Sequence, residues 1–461
     1  MLCDKCGQED ATVHLVEIRR GIPAETHLCE KCAELYLPLE RTDLAELLEQ
    51  MPPRAGAPDN IYREAAAEPG PGEAEMTAST QHVLVGTPFI GTLVQVSPET
   101  GGSFTPVWSP TGKLLVHVWL DRRRYALRVS DAFGRQSQCF HDVSWGEPPQ
   151  WTPDGLHLCF SLAFGDVRCP VLGDVRTGEL THLAARPDLD QYDPVLSPDG
   201  KFLALLSGPP SVPSGDAAQV SLEIVGLAGG RRRRLLSEPE RRIGQVEWSP
   251  DGKRLAVLLE ELPAVEPTEV LELAELGRQE LRVLAVADGK VLFSRRTVAG
   301  AVWSPDGSHL LVARYLDGDV VLECADLAGP ARILGQDVYL PGGTLSAASW
   351  SADGRSVGFT SGAEGHRHLT IAGLDGAVRT LPLEDVKAVA FNPLGPELAV
   401  LRKERKDHEV LLVERDDPEK RRTVLAIGAE SFYDVVGLCW SPTGKHLALE
   451  AHSARLRTEG T

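Results

Sequence analysis

The chain has 461 residues, more than one ordinary hydrophobic core holds, so a repeat array or two or more domains are expected. Its net charge of −19 and its isoelectric point of about 5.2 exclude a globally basic surface for nucleic acid. No stretch reaches the roughly 18 to 20 consecutive apolar residues that a membrane span needs.

Four cysteines near the start of the chain are spaced as two pairs. Cys3 and Cys6 form one Cys-x-x-Cys pair, and Cys29 and Cys32 form the other. Two such pairs are typical of a structural zinc site with four thiolate ligands, so we predict one Zn²⁺ per chain. A disulfide pair or a redox Cys-x-x-Cys is the alternative. The cysteine total is odd and the first residues contain no apolar run of an export signal, so we expect reduced thiols in a cytoplasm.

Residues 1–50 are predicted to form a four-cysteine zinc-binding module, a small ribbon with a short helix that takes much of its folding energy from the metal. A hairpin over Ala11–Arg20 and Ile22–Leu28 joins the cysteine pairs, and leucines after Cys32 indicate the helix. His14 and His27 are interpreted as hairpin residues, since four thiols complete the site. The module has 11 acidic residues against 5 Lys or Arg, which favours a protein partner over nucleic acid.

The segments Met1–Cys6 and His27–Ala33 resemble the N-terminal zinc module of McsA, the activator family of the bacterial protein-arginine kinase. The resemblance implies a zinc-dependent protein-contact module in a bacterial cytoplasm, with a role in protein quality control. McsA-like proteins repeat the zinc unit and carry a longer helical tail, whereas this chain continues into a different repeat. Kinase activation is therefore not carried over.

Residues 51–81 are rich in Pro, Ala, Gly and Glu and predict a flexible linker, and residues 455–461 form a tail. Between them, residues 82–454 repeat an apolar run, a variant of Trp-Ser-Pro-Asp-Gly, and a second apolar run. Steps of 43, 45, 52, 55, 47, 41 and 49 residues separate the eight copies, a period typical of repeat architectures. The first residues of the copies, which we call anchors, are Trp108, Trp151, Leu196, Trp248, Trp303, Trp350, Phe391 and Trp440.

Each copy predicts four antiparallel strands, the unit of a β-propeller blade. Ser-Pro-Asp-Gly makes a tight turn, because Pro fixes φ, Asp bonds its own backbone and Gly accepts φ > 0. We expect the Trp anchors to pack between neighbouring blades. Strands near residues 82–96 and 435–450 each form half a blade, so joining them gives a mainly-β, eight-bladed propeller closed by both termini. Seven blades is the alternative, should the Leu196 or Phe391 copy form no separate blade.

The repeat resembles that of TolB-like propellers, and the resemblance covers residues 82–454. It implies the propeller fold, but the family has varied functions, which include periplasmic interaction proteins and the N-terminal gates of prolyl-oligopeptidase-type hydrolases. No Gly-x-Ser-x-Gly nucleophile elbow occurs in the chain, so we expect no hydrolase domain of that type.

The motif turn joins the first and second strands of a blade, so the loops between the second and third strands emerge on the opposite face. Two of these are long, over Ser207–Gln219 and Leu262–Glu280, and others are basic. Long loops on one face often mark the binding side of a repeat protein; solvated loop tips are the alternative. The run Arg231–Arg234 is interpreted as the start of an outer strand. The predicted partner-binding residues are Arg122, Arg123, Arg124, Arg367 and Arg405.

The sequence therefore predicts a non-enzymatic, monomeric adaptor or scaffold in the cytoplasm, which binds protein partners through the zinc module and the propeller face. A propeller hydrolase or lactonase with a site in the central channel is one alternative, and a zinc-ribbon regulator associated with nucleic acid is another. Acidic residues near the starts of the inner strands occupy no common register, which disfavours a channel site. They are Asp142, Asp190, Asp193, Glu247, Asp385 and Asp434.

Overall fold

The structure is a computed structural model of the chain. It describes residues 13–19, 22–28, 80–88, 92–97, 102–121, 124–144, 148–164, 167–183, 186, 188–210, 220–228, 230–238, 241–261, 279–316, 319–327, 329–340, 345, 348–363, 366–381, 383–428 and 434–453. The four N-terminal cysteines, the predicted short helix, the tail and nearly all of the predicted linker lie outside these residues. The described residues contain no α-helix, and hence none long and apolar enough to span a membrane.

Eight sheets, arranged as the blades of a propeller, make up the fold. Seven have four strands each in sequence order, and the eighth combines strands from both ends of the chain. The predicted mainly-β, eight-bladed propeller is therefore confirmed, and the alternative of seven blades is wrong. We number the complete blades one to seven along the chain and call the eighth the composite blade.

The strands of each complete blade are called a to d, from the inner to the outer strand. Blade one contains β5 (Gly102–Trp108), β6 (Leu114–Asp121), β7 (Arg124–Asp131) and β8 (Gln136–His141). Blade two contains β9 (Gln150–Trp151), β10 (His157–Phe164), β11 (Val167–Asp174) and β12 (Leu180–His182). Blade three contains β13 (Asp190–Leu196), β14 (Phe202–Gly208), β15 (Ser221–Gly226) and β16 (Arg232–Ser237).

The second half of the ring repeats this order. Blade four contains β17 (Arg241–Trp248), β18 (Arg254–Glu261), β19 (Gln279–Ala285) and β20 (Val291–Arg296). Blade five contains β21 (Val298–Trp303), β22 (His309–Leu316), β23 (Asp319–Asp326) and β24 (Arg332–Gly335). Blade six contains β25 (Ala348–Trp350), β26 (Ser356–Ser361), β27 (His368–Gly373) and β28 (Val378–Leu381). Blade seven contains β29 (Val386–Phe391), β30 (Glu397–Glu404), β31 (Asp407–Glu414) and β32 (Arg421–Ile427).

The motif turn has the hydrogen bonds that its residue types predict. In blade four, the Gly252 N–H donates to the Ser249 carbonyl at 2.8 Å, and the Ser249 N–H donates to the Arg254 carbonyl at 2.9 Å. The Asp251 carboxylate accepts the Ser249 hydroxyl at 2.5 Å and the Lys253 N–H at 3.1 Å. Gly252 has a φ of 66°, which a side chain would strain. These local bonds fix the connection between strands a and b.

The anchors lie between neighbouring blades. Trp248, for example, shares an apolar cluster with Leu206 and Leu222 of blade three and with Leu255 and Val257 of its own blade. A tryptophan ring buries about 150–250 Å² of surface, so it contributes more to the apolar contact between blades than a smaller side chain does. All eight anchors are at most 9% exposed: Trp108, Trp151, Leu196, Trp248, Trp303, Trp350, Phe391 and Trp440.

The composite blade closes the ring. Its strands are β33 (Asp434–Trp440), β34 (Leu447–Ser453), β3 (Thr80–Thr87) and β4 (Thr92–Gln95), in that order from inside to outside. Toward blade seven, the Trp440 indole Nε1 donates to the Ala390 carbonyl at 2.9 Å. Toward blade one, the His446 ring stacks on Trp108 with centroids 6.0 Å apart. Both termini of the propeller are therefore held by blade-to-blade contacts as well as by strand pairing.

A hairpin of β1 (Val13–Arg19) and β2 (Ile22–Leu28) extends the composite blade to six strands. The hairpin lies where the sequence predicts it. Its strand β1 also pairs antiparallel with β4, from Glu17 opposite Thr92 to His14 opposite Gln95. This second pairing joins the N-terminal segment to the propeller through backbone hydrogen bonds, in addition to the linker. No sequence pattern predicted it.

The blades have two different ends. The a–b and c–d turns lie at one end, which we call the turn face, and the b–c and d–a connections lie at the other, which we call the loop face. The open end of the hairpin, where Val13 pairs with Leu28, is directed toward the loop face, because β1 runs antiparallel to β4.

Candidate interaction face

The predicted basic residues of the loop face are only partly described. Arg124 opens β7 and is exposed, and Arg405 is exposed in the connection between β30 and β31. Arg122 and Arg123 lie outside the described residues, as do 211–219 and 262–278, which make up most of the two long loops. Two of the five predicted partner-binding residues are thus exposed cations on this face.

Arg405 lies in a tight two-residue connection. Glu404 pairs with Asp407 across it, and Arg405 has a φ of 59°. A left-handed φ is uncommon outside glycine, so the short connection imposes this backbone conformation. The exposed Arg405 side chain is therefore carried by a backbone that paired strands fix on both sides.

Arg367 differs from the prediction of a solvent-directed cation. Its guanidinium carbon lies 3.5 Å from the centroid of the Tyr339 ring, and the side chain is half-buried. A cation over an aromatic face gains electrostatic energy from the ring. Arg367 therefore packs the b–c loop of blade six against the d–a connection that precedes that blade.

Acidic side chains accompany the other arginines near the loop face. Arg314 contacts Glu323 at 2.7 Å between β22 and β23, and Arg295 of the preceding blade contacts the same carboxylate at 3.4 Å. Arg402 contacts both Glu404 and Glu409, at 2.7 and 3.0 Å. The face therefore carries mixed charge, which suits a partner with paired acidic and basic groups.

Glu280 organises a charged network near the loop face of blade four. Its carboxylate accepts hydrogen bonds from Arg282, Ser294 and Arg241. Although burial opposes ionisation, these hydrogen bonds lower the pKa of Glu280 to about 2. Arg282 also contacts Glu238, so the ionised network extends to the connection that precedes blade four.

A second network of charged residues joins blade seven to the composite blade. Asp434, at the start of β33, contacts Lys387 of β29 and lies 3.3 Å from Nε2 of the fully buried His408. Burial opposes ionisation of Asp434, but hydrogen bonds from His408 and Lys387 hold its pKa well below the usual range. This carboxylate is therefore a structural anion at the ring closure.

Two of the six acidic residues singled out in the sequence, Asp142 and Asp385, share one position with Asp337, so the prediction that the six have no common register is wrong for these two. Asp142, Asp337 and Asp385 all have φ near 50° and lie where the chain enters a blade. The carbonyl of each accepts a backbone N–H from the end of strand b or the loop after it. Thr297 has the same geometry in blade five, with a φ of 61°. Asp tolerates this left-handed conformation, so the residue at the shared position is explained by the backbone it must adopt and not by a catalytic carboxylate.

A short signal could have found this position. Each of the four residues is followed by a buried valine: Val143, Val298, Val338 and Val386. Because the loops differ in length, this residue and its valine do not lie at a constant distance in sequence from the anchor, and their shared position was therefore hidden. No group of three or more His, Cys, Asp or Glu that could hold a metal ion occurs among the described residues.

The other acidic residues have separate environments. Asp190 is buried and forms a bidentate contact with Arg168, with a shortest distance of 2.6 Å. Asp193 has a φ of 48°, and burial raises the pKa of its carboxyl. Burial also raises the pKa of Glu247 to about 7, partly offset by the Trp303 backbone N–H. The structure does not bring these three carboxyls into one site with Asp142, Asp337 and Asp385.

The propeller is similar to solved structures of several kinds of protein. An oligogalacturonate lyase in complex with manganese has a TM-score of 0.49 and 14% identity, with 82% of this chain and 98% of that chain covered. A puromycin-hydrolyzing peptidase of Mycobacterium tuberculosis has a TM-score of 0.48 and 16% identity, covering 70% and 53%. TolB from Acinetobacter baumannii has a TM-score of 0.34 and 17% identity, covering 66% and 63%. No family model matches the chain, and no curated protein matches its sequence.

These similarities concern the fold alone. The TolB-like propeller fold that the repeat predicted is supported, whereas the McsA-like zinc module stays a prediction. The prediction that the protein is not an enzyme is wrong, because proteins with similar folds include a lyase and peptidases, and the fold therefore does not exclude enzymes. Function has to be argued from the residues of this chain.

Proposed function

We propose that the chain is an adaptor or scaffold of the bacterial cytoplasm, which binds protein partners through two joined surfaces. One is the N-terminal module with Cys3, Cys6, Cys29 and Cys32, and the other is the loop face of the propeller. The McsA-like residues of the module favour a role in protein quality control. A monomer provides both surfaces, since the hairpin and the propeller belong to one sheet.

The observation that carries this proposal is the pairing of β1 with β4. The open end of the hairpin, at Val13 and Leu28, is directed toward the loop face, and the two cysteine pairs adjoin that end in sequence. Two surfaces held in one orientation bind a common partner with higher effective concentration than two surfaces on a flexible tether.

The cysteines of the module would hold one structural Zn²⁺. Four thiolates complete a tetrahedral shell, so the metal would supply folding energy to a segment with little apolar core. Cys3, Cys6, Cys29 and Cys32 lie outside the described residues, and the zinc assignment depends on their spacing. The described free cysteines, Cys139, Cys159, Cys169, Cys324 and Cys439, belong to the propeller.

The chemistry of the loop face indicates the class of partner. Arg124 and Arg405 are exposed, while Arg402 and Arg314 are held by glutamates at 3.0 Å or less. Exposed cations on fixed strands attract acidic side chains, and the neighbouring carboxylates reject a uniformly anionic polymer. A folded protein with mixed charge meets both conditions.

The test of partner binding is site-specific photocrosslinking in the native cell. A photoreactive residue replaces Arg405 on the loop face or, as the matched control, the exposed Lys253 on the turn face. We expect one discrete crosslinked partner from position 405 and none from position 253. Equal crosslinking from positions 405 and 253 contradicts the assignment of this face. The assignment is also contradicted if neither position 405 nor a photoreactive residue in place of Arg124 gives a crosslink.

The zinc module is tested in the same cells. The variant Cys29→Ser with Cys32→Ser should contain less than one tenth of the wild-type zinc and should reduce crosslinking at position 405 by about tenfold, as loss of one of two linked sites predicts. The matched control is Cys139→Ser, which changes a half-buried thiol of blade one. Crosslinking that is unchanged after zinc loss separates the propeller face from the module and rejects the two-surface proposal.

A further inference from the structure

The side chain directly before an anchor bonds the anchor of the next blade at several places in the ring. The side-chain oxygen of Gln150 in blade two accepts the backbone N–H of Leu196, the anchor of blade three, at 2.9 Å. The hydroxyl oxygen of Ser349 in blade six accepts the backbone N–H of Phe391, the anchor of blade seven, at 3.1 Å. One oxygen of a neutral side chain is therefore sufficient for this contact between blades.

Blade four has a carboxylate at this position. Glu247 directly precedes the anchor Trp248, and its carboxylate accepts the backbone N–H of Trp303, the anchor of blade five. The second carboxylate oxygen, Oε2, is buried and has no hydrogen-bond partner among the described residues. The contact between blades requires neither the negative charge nor the second oxygen of Glu247, so both are available to a ligand.

A small cavity between blades four and five lies against this carboxyl group. Its volume is about 10 Å³, which is enough for one group of the size of a water molecule. Gln245 also lines the cavity, and this residue is exposed in the bulge of the inner strand β17, so the cavity is accessible from the inner side of the ring. The other lining residues are apolar: Ala256, Leu258, Leu281 and Ala301. Glu247 is the only titratable side chain of this lining.

We propose that this cavity binds an ammonium group, either as the ammonium ion or as the end of a small primary amine, on the ionised carboxylate of Glu247. Oε2 accepts one hydrogen bond of the ammonium group, and the side-chain oxygen of Gln245 is the second acceptor. The carbon atoms of an amine contact the apolar lining, for example Ala301. This inference is independent of the proposed partner binding and of zinc.

The lining of the cavity favours an ammonium group over a metal ion. Divalent cations take more oxygen ligands than the side chains of Glu247 and Gln245 supply. An ammonium group needs only hydrogen-bond acceptors, and its hydrogen bonds to a carboxylate are strong because both partners are charged. Pairing with a cation also relieves the cost of an isolated buried carboxylate. Tetramethylammonium has the same charge but no N–H donor, so it is not a ligand of this kind.

Binding of the ammonium group is linked to the proton of Glu247. Burial raises the pKa of Glu247 to about 7, and a ligand that binds only the ionised carboxylate lowers this pKa again. For methylammonium, the limit of affinity for very small ligands corresponds to a Kd on the order of 10 mM. At about ten times this concentration, the pKa of Glu247 should fall from about 7 to about 6.

The experiment measures the pKa of Glu247 in the full chain by carbon NMR of its side-chain carboxyl group, which is assigned by comparison with Glu247→Gln. Each titration contains about 100 mM of the chloride salt of methylammonium, ammonium, potassium or tetramethylammonium. We expect a pKa of about 6 in methylammonium and about 7 in potassium and in tetramethylammonium. A decrease in ammonium alone identifies the free ion as the ligand, and a decrease in methylammonium as well identifies a primary amine. The same pKa in all four salts overturns the proposal.

Further variants locate the ligand in the cavity. Ala301→Val adds carbon atoms to the buried lining and should abolish the decrease in pKa that methylammonium causes. The matched control is Ala388→Val, which changes a buried alanine on the inner strand of blade seven and should keep the decrease. Gln245→Leu removes the second acceptor at an exposed position, where folding is not at risk, and should make the decrease smaller. A decrease that persists unchanged in Ala301→Val and in Gln245→Leu places the amine elsewhere and overturns the assignment.

Discussion

The indole Nε1 of Trp248 donates a hydrogen bond to the backbone carbonyl of Val195 at 2.9 Å. Val195 directly precedes the anchor of blade three, so the bond joins equivalent strands of neighbouring blades. Trp151 and Trp440 make the same bond to Val107 and Ala390, at 3.1 and 2.9 Å. Three of the six tryptophan anchors therefore link blades by a directed polar contact in addition to apolar packing, whereas the Nε1 atoms of Trp108, Trp303 and Trp350 have no hydrogen-bond partner among the described residues.

Replacing Trp248 by Phe should destabilise the propeller by more than ring size alone requires. The change removes the donor and leaves the half-buried Val195 carbonyl without this hydrogen bond, at a cost of about 1 kcal/mol. The matched control is Trp350→Phe, because the buried Nε1 of Trp350 has no hydrogen-bond partner among the described residues. Chemical denaturation should show a lower midpoint for Trp248→Phe. Equal losses for the two variants would assign the role of Trp248 to packing only.

The turn glycines contact the preceding blade, and this contact makes a second prediction. Gly307 has a φ of 70°, and a Cβ there would lie 3.2 Å from Cδ of Pro250 in blade four. Gly307→Ala therefore combines backbone strain of about 1–2 kcal/mol with a clash between blades. Gly230→Ala has similar strain, with a φ of 63°, but no atom within 4 Å of the new carbon. Thermal unfolding should separate the two variants by several degrees. Equal melting temperatures would show that the turns of neighbouring blades do not support each other.

The blade count was predictable because the turn chemistry is local. The two copies that lack Trp still form blades, since Leu196 and Phe391 are 8% and 7% exposed and act as apolar anchors. In the most divergent copy, Asn392 replaces serine, and its Oδ1 accepts the Leu394 N–H at 2.9 Å. A side-chain oxygen and an apolar anchor are sufficient to form the hairpin between strands a and b.

Contacts between distant residues could not be predicted in the same way. Arg367 and Tyr339 belong to different connections, so no spacing indicates that one will lie 3.5 Å over the other. The pairing of β1 with β4 joins segments on either side of the predicted linker, and its register depends on which edge the blade leaves open. Both features arise from tertiary structure, and both change the functional surface that the sequence indicated.

Acid should weaken the propeller through His117. This residue is fully buried in β6, and neither ring nitrogen has a hydrogen-bond partner among the described residues. Burial, together with the charge of Arg128, lowers the pKa of His117 to about 3. The unfolded chain binds the proton first, so stability is lost as pH falls below about 6.5, by about 2 kcal/mol between pH 7 and pH 5.

The variant His117→Leu removes this proton linkage and keeps an apolar side chain of similar size. Its free energy of unfolding should change less between pH 7 and pH 5 than that of the wild type, as measured by urea denaturation. His141→Leu, which changes an exposed histidine of β8, is the matched control and should retain the wild-type profile. A pH profile that His117→Leu leaves unaltered would contradict the burial of a neutral imidazole.

Alkali should weaken the contact between blades four and five through Glu247. One carboxylate oxygen of Glu247 is buried without a partner among the described residues, and burial raises the pKa of this group to about 7. Because the folded-state pKa lies above the unfolded one, stability is full below about pH 4.5 and is lost as pH rises through 7. Glu247→Gln should therefore gain about 2 kcal/mol more, relative to the wild type, at pH 8 than at pH 5. Glu261→Gln, at an exposed position, should gain no such difference. Parallel pH profiles for Glu247→Gln and the wild type would show that the carboxyl ionises without cost between the blades.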